Sequence, residues 1–259
     1  MTMVQNASVS PETGRRLRRY NLAMGFLHAI QGVLVLWLSN GFTLPVVATF
    51  MTGPPGLEPP QVQPLFSVSI AWGVAVFLFL SALAHFVISA PTVYEWYLRN
   101  LAQKRNYARW IEYSLSSSVM VVLIAMLVGI ADIAALLAIA GVNASMILFG
   151  LLQEKYETPG QAVSWLPFWM GVLAGAVPWI AIGWYLFSPG FGASPPGFVY
   201  AIFFSLFAFF NVFAVVMVLQ YRRVGRWADY VFGESTYVLL SLVAKSALAW
   251  QVFAGTLAA

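Results

Sequence analysis

The sequence contains no cysteine, which excludes disulfides, thiolate metal sites and a cysteine nucleophile. It is also short of charge: Asp, Glu, Lys and Arg make up 8% of its 259 residues, against about 25% in a soluble globular domain. A chain so poor in charge cannot cover a water-facing surface. Histidine is scarce too. The two present, His28 and His85, are isolated from each other in sequence and do not make a metal site. There is no glycine-rich phosphate loop and no hydrolase triad spacing, so nothing marks the chain as an enzyme.

What the sequence has in quantity is apolar length. Hydrophobic residues make up 61% of it, and runs of about 20, enough to cross a bilayer, recur throughout. Seven spans are expected, at about 20–40, 66–90, 106–129, 132–152, 165–187, 197–221 and 235–257. They must be helices, because lipid cannot satisfy an open backbone and the runs are too long for barrel strands. The expected fold is an all-α bundle of seven transmembrane helices forming one domain over 1–259. The first span is longer than a signal-peptide core and is expected to be retained. Thr43–Phe50 is β-rich and precedes "GPPG", which predicts a short hairpin in the first loop. Pro178 should kink the fifth span, and "RRVGRWAD" reads as a solvated turn after the sixth.

Basic residues are missing from one whole side of this topology. Arg15, Arg16, Arg18 and Arg19 precede span one, and Arg99, Lys104, Arg105 and Arg109 lie between spans two and three. Lys155 lies between four and five, and Arg222, Arg223 and Arg226 between six and seven. The positive-inside rule then places the N-terminus in the cytoplasm and the C-terminus outside, in a multi-pass protein of the cell membrane. It also accounts for the formal charge of +4 without a nucleic-acid partner. The inner loops could contact anionic lipid of the bilayer or a cytosolic signalling protein.

The remaining basic residue is Lys245, in "SLVAKSALAWQ", about ten residues from the inner end of span seven and twelve from the outer end. At 1.5 Å per residue that is roughly 15 to 18 Å, too far for the lysine stem to reach water. An unpaired charge there costs at least about 2.5–3.5 kcal/mol, so a partner is expected. Glu112, in the inner half of span three, is the obvious one. Two plainer readings stand beside this: a structural ion pair inside the bundle, and Glu112 paired with Arg109 three residues away on its own helix. His28, Ser81, His85 and Ser241 fall in the same inner half, with Ser81 and His85 one turn apart and Ser241 and Lys245 one turn apart. They read either as packing residues or as a hydrated network. Asp132 is expected to cap a helix near water, and Asn143 and Asn211 to hold helices together.

A lysine in the seventh helix and a carboxylate in the third resemble the microbial rhodopsins. "RWIEYS" at 109–114 is similar to the arginine–aromatic–x–aspartate–aromatic motif of light-driven pumps, with Glu112 in the aspartate place. Four and eleven positions on stand Ser116 and Leu123, the latter where pumps commonly carry a proton-donating carboxylate. Ser241 stands where pumps carry an aspartate, and Phe209, Phe210 and Asn211 where the sixth helix usually offers tryptophan and proline. The inside N-terminus departs from ordinary microbial rhodopsins. It looks like the heliorhodopsins, which "WIEYSLSSSVM", "IADIAALLAIAGVNASMILFGLLQEKY", "PGFVY" and "LSLVAKSALAWQ" also resemble, over essentially the whole chain.

The resemblance implies a dimeric photoreceptor with a slow photocycle that pumps no ions. It implies all-trans retinal bound covalently to Lys245 as a protonated Schiff base, with Glu112 as counterion. His28, Ser81, His85 and Ser241 would form the inner polar network, and Tyr113, Asn143, Met146, Phe210 and Trp250 would contribute to the pocket. Two other functions stand as alternatives: a light-driven ion or proton transporter or channel, and a solute transporter without photoactivity that uses the Lys245–Glu112 pair.

Overall fold

The structure is a computed structural model that describes residues 9–157, 162–188 and 194–258. Its spanning helices are α1 (Pro11–Leu38), α2 (Ile70–Ser89), α4 (Tyr107–Leu127), α5 (Ile133–Tyr156), α6 (Leu166–Phe187), α7 (Gly197–Tyr221) and α8 (Tyr230–Val252). Helix α8 runs on through a π-turn over Phe253–Leu257. All seven are long and apolar enough to cross a membrane. A short helix, α3 (Pro91–Ala102), lies between α2 and α4 at the face that carries the N-terminus.

Local chemistry sets these boundaries. Helix α1 begins at Pro11, well before the expected residue 20, because Ser10 accepts a hydrogen bond from the Thr13 amide and Pro11 stands where no amide donor is needed. The basic "GRRLRRY" segment is therefore helical. Asn106, Asp132 and Asp229 cap α4, α5 and α8 in the same way. Helix α3 was not expected from the sequence. It has one apolar face, seated through Tyr97 and Leu101, and Tyr94 donates its hydroxyl proton to the Gly14 carbonyl of α1. Pro178 lies within the continuous α6. "RRVGRWAD" forms an exposed turn with a 3₁₀ segment over Gly225–Ala228.

At the opposite face, strands β1 (Thr43–Phe50) and β2 (Gln61–Ser69) pair antiparallel, with a bulge between Val46 and Val47. The second span consequently starts at Ile70 and not at 66. The hairpin is tied to the start of α5: the Val47 amide donates to Ala131 at 2.9 Å and Thr49 Oγ1 to Asp132 Oδ2 at 3.2 Å. Asp132 holds its carboxyl below the usual range, because the Ala134 amide, the Ala135 amide and the Thr49 hydroxyl all donate to it. The apolar core is built chiefly from α2 and α4, with Phe77, Leu78 and Ile124 buried, and α6, α7 and α8 close it through residues such as Ile182, Ile202 and Leu248.

Candidate functional site

Helices α2, α4 and α8 each bring polar groups to one buried point. Lys245 Nζ lies 3.1 Å from Glu112 Oε1, with the two side chains 4% and 9% exposed. One turn before Lys245, Ser241 Oγ accepts a hydrogen bond from Nζ at 2.7 Å. Across the interface Ser81 Oγ donates to the same Glu112 oxygen at 2.6 Å. Nζ also stands 5.0 Å above the centre of the Tyr113 ring, whose negative face favours a cation. The ammonium and carboxylate are thus paired and further hydrogen-bonded, which a charge pair needs at this depth.

Glu112 does not pair with Arg109. That alternative is corrected by the structure, because the Arg109 guanidinium bonds to Glu154 and Glu234 instead. Arg109 is likewise no solvated loop charge: it is buried in the first turns of α4.

On the side of the pair nearer the face that carries the N-terminus, His85 Nδ1 lies 2.8 Å from Asn21 Oδ1. Asn21 Nδ2 donates to the Leu17 carbonyl, so Oδ1 is free to accept and the His85 hydrogen sits on Nδ1. Its Nε2 then presents a lone pair. His28 stacks on His85 with ring centres 5.7 Å apart, and neither His28 nitrogen has a protein partner. Asn21 was not picked out from the sequence; it sits two turns before His28 in α1, and only the packing of α1 on α2 reveals it.

From Lys245 an apolar cavity of about 310 Å³ runs between α4, α5, α6, α7 and α8. Tyr113, Met146, Phe210 and Ser241 line it, as do Trp179 and Asn211. Ser116 also lines it and has a buried hydroxyl without a partner. Asn143 and Trp250 are not in the lining. Asn143 Nδ2 donates to Ser117 at 2.8 Å and Ser118 at 3.1 Å, joining α5 to α4. Trp250 Nε1 donates to Gln31 of α1 at 3.0 Å. Their side chains act between helices.

A heliorhodopsin family profile matches residues 17–257. The chain belongs to the heliorhodopsin family. It is thereby a rhodopsin, a light-responsive membrane protein of the retinal-binding type. No curated relative matches this heliorhodopsin in sequence. Among solved structures it is similar to a light-driven proton pump from Leptosphaeria maculans, at 14% identity and a TM-score of 0.62, covering 94% of this chain and 97% of that one. It is also similar to the transmembrane domain of a Salpingoeca rosetta rhodopsin phosphodiesterase, at 14% identity and a TM-score of 0.65, covering 95% and 88%. A second structure of that domain with its linker gives 14% and 0.64, covering 95% and 83%. At such identities the likeness is one of fold.

The residues present fit a retinal-type chromophore. A primary amine sits at the head of a long apolar cavity with aromatic walls, and a single carboxylate lies within contact distance of it. A flat polyene aldehyde requires both an amine and an apolar slot.

Proposed function

We propose that this heliorhodopsin is a light sensor that carries all-trans retinal on Lys245 Nζ as a protonated Schiff base, with Glu112 as counterion, and pumps no ions. The observation that carries this reading is the position of Nζ, 3.1 Å from a lone buried carboxylate and at the end of an apolar cavity. When bound, retinal supplies the absorption of visible light and an isomerisation that moves its attachment point.

The chain's own groups do the rest. Glu112 balances the positive charge at Nζ, and Ser81 holds its Oε1 in place. Ser241 anchors Nζ from the inner side. When the charge pair is disturbed by light, the proton at Nζ passes inward towards His85 Nε2 and towards His28, each imidazole having one nitrogen lone pair to accept it. Asn21 keeps the lone pair on Nε2 by taking the Nδ1 hydrogen. Among the described residues no carboxylate lines the cavity, and Leu123 is buried apolar packing. Return of the proton must then come from the same inner groups, which makes recovery slow and the displaced state long-lived.

The arrangement of basic residues supports a cytoplasmic N-terminus and an external C-terminus. We further propose that the protein works as a homodimer and reports to a cytosolic partner.

Flash photolysis of the reconstituted pigment, run beside a pH electrode in a vesicle suspension, tests the sensor reading. Slow recovery with no protonophore-sensitive pH change is the expected result. A light-driven pH change abolished by a protonophore would replace it with a pump, and photocurrents that follow the applied voltage would make it a channel.

A further inference from the structure

A small pocket at the face that carries the N-terminus holds chemistry that the proposed photochemistry does not use. It lies among the ends of α3, α5 and α7 and the start of α8, with a volume of about 60 Å³. Lys104, Glu154, Glu157, Gln220, Arg223 and Tyr230 line it. Its two cations stand where a basic side chain is not the ordinary choice. Helix α3 ends with the Arg105 amide donating to the Asn100 carbonyl and the Lys104 amide to Leu101, both at 2.9 Å. Helix α7 ends in the same way, with Val224 donating to Leu219 at 3.0 Å and Arg223 to Gln220 at 3.1 Å. This helix-ending loop puts one residue in the left-handed region, a place that glycine usually takes. Here it is Lys104 (φ 58°) and Arg223 (φ 51°), and among the described residues no other non-glycine residue has a positive φ. A cation at a helix C-terminus is favourable, but Arg99 and Arg222 already supply one at these ends without a left-handed backbone. Two helices therefore bear the same strain to bring a cation to one pocket, and strain of this kind gathers at functional sites.

The rest of the lining sorts into donors and a single acceptor. Glu154 has no capacity left for a ligand. Its Oε1 accepts from Arg109 at 2.9 Å and the Tyr230 hydroxyl at 2.7 Å, and its Oε2 from the Asn106 amide at 2.8 Å and Trp110 Nε1 at 2.6 Å, which fills the roughly four acceptor positions of a carboxylate. Gln220 Nε2 is a buried donor without a partner, and a Cβ on Gly233 would press against this amide. Lys104, Arg223 and Glu157 form no ion pair among the described residues. Partial burial pushes the Glu157 carboxyl up, while Arg223 and Lys104 pull it down. An anion without a proton would meet the Glu157 carboxylate unfavourably. A hydrogen phosphate would not: its bare oxygens accept from Lys104, Arg223 and Gln220, and its O–H donates to Glu157. The volume, room for roughly four waters, suits one tetrahedral oxyanion and excludes a nucleotide.

We infer that this pocket is a binding site for a hydrogen phosphate group, held by Lys104, Arg223 and Gln220 and selected by Glu157. The inference goes beyond the sensor reading and does not depend on retinal. Inorganic phosphate and the head group of phosphatidate share this chemistry, since both retain an O–H near neutral pH, and the experiment separates them.

The full chain is placed in phosphatidylcholine nanodiscs and equilibrated with radiolabelled inorganic phosphate at constant ionic strength. Saturable binding of one phosphate per chain is expected, and sulfate, which has no proton to give Glu157, should displace it at least tenfold less effectively. Lys104→Gly and Arg223→Gly should each weaken binding at least tenfold without lowering the melting temperature, because glycine suits the left-handed backbone. Glu157→Gln should erase the preference over sulfate. If a glycine variant does not fold, Lys104→Asn carries the same test, asparagine being tolerated in that region. If the site takes the lipid, phosphatidate in the discs should raise the melting temperature of the parent and not of the glycine variants. Phosphatidylglycerol, a diester without an O–H, should have no such effect. Phosphate binding that survives both glycine changes, or sulfate binding the parent as tightly as phosphate, overturns the proposal. So does a parent that responds to neither phosphate nor phosphatidate.

Discussion

The Lys245–Glu112 pair can be weighed without any chromophore, in the apoprotein. At 3.1 Å and an effective dielectric of about 20, Coulomb attraction amounts to ~5 kcal/mol. Removing both groups from water costs a similar amount, so the pair taken whole is close to neutral. Its halves are not. Lys245→Met leaves a buried carboxylate supported by Ser81 alone, and Glu112→Gln leaves a buried ammonium supported by Ser241 and the Tyr113 ring. Breaking a buried pair costs roughly 3–5 kcal/mol. The lower end applies, because each survivor keeps a hydroxyl partner. At roughly 2–4 °C per kcal/mol for a chain of this size, each single change should lower the melting temperature by ~6–12 °C. The double variant should recover most of that loss. Thermal unfolding in detergent, followed by tryptophan fluorescence, measures all four corners of the cycle. Additive effects, with the double variant melting at the sum of the two losses, would refute the claim that these groups form one buried pair.

Three other outcomes follow from named contacts. A Cβ at Gly150 would overlap the Trp110 ring, so Gly150→Ala should displace Trp110 from Glu154 and cost ~1–3 kcal/mol, read as a lower melting temperature; an unchanged one would contradict the packing. Asn143→Ala removes two interhelical hydrogen bonds and should cost ~0.6–1.7 kcal/mol while leaving the pigment's absorption in place; a shifted band would return Asn143 to the chromophore pocket. Asp132 has a depressed carboxyl, so its contribution is present above the ordinary carboxylate range and is lost as pH falls through the lower folded value. Below that range the hairpin should become more open to protease, and Asp132→Ala should show this openness at neutral pH; pH-independent cleavage of both proteins would remove the role given to Asp132.

The architecture was legible because bilayer chemistry leaves few choices. Apolar runs of fixed length set the seven helices, and Lys245 stood out because nothing solvates an ammonium at that depth. The hairpin followed from β-rich residues ahead of a tight turn. Helix α3 escaped notice because twelve residues with one apolar face look like a polar loop when only long runs are sought. The Arg109 cluster was hidden for a different reason. Glu154 and Glu234 each sit near a helix end, where a lone acid ordinarily meets water, and only the bundle brings their two ends onto Arg109. A usable signal did exist: Glu154 and Glu234 each stand within two residues of the end of an expected span, at the same face of the bundle as Arg109, and one arginine cannot lie in lipid without an anion. Trp250 and Asn143 follow from motif position, but rotation about the helix axis decides which way a side chain points. In the structure both point to neighbouring helices.

Central to this account is retinal held on Lys245, and the visible absorption spectrum after expression with all-trans retinal tests it most directly, with Lys245→Ala prepared alongside. The account predicts a band far to the red of free retinal, absent from the variant. A colourless protein that folds and assembles normally, or a band that survives in Lys245→Ala, would contradict it.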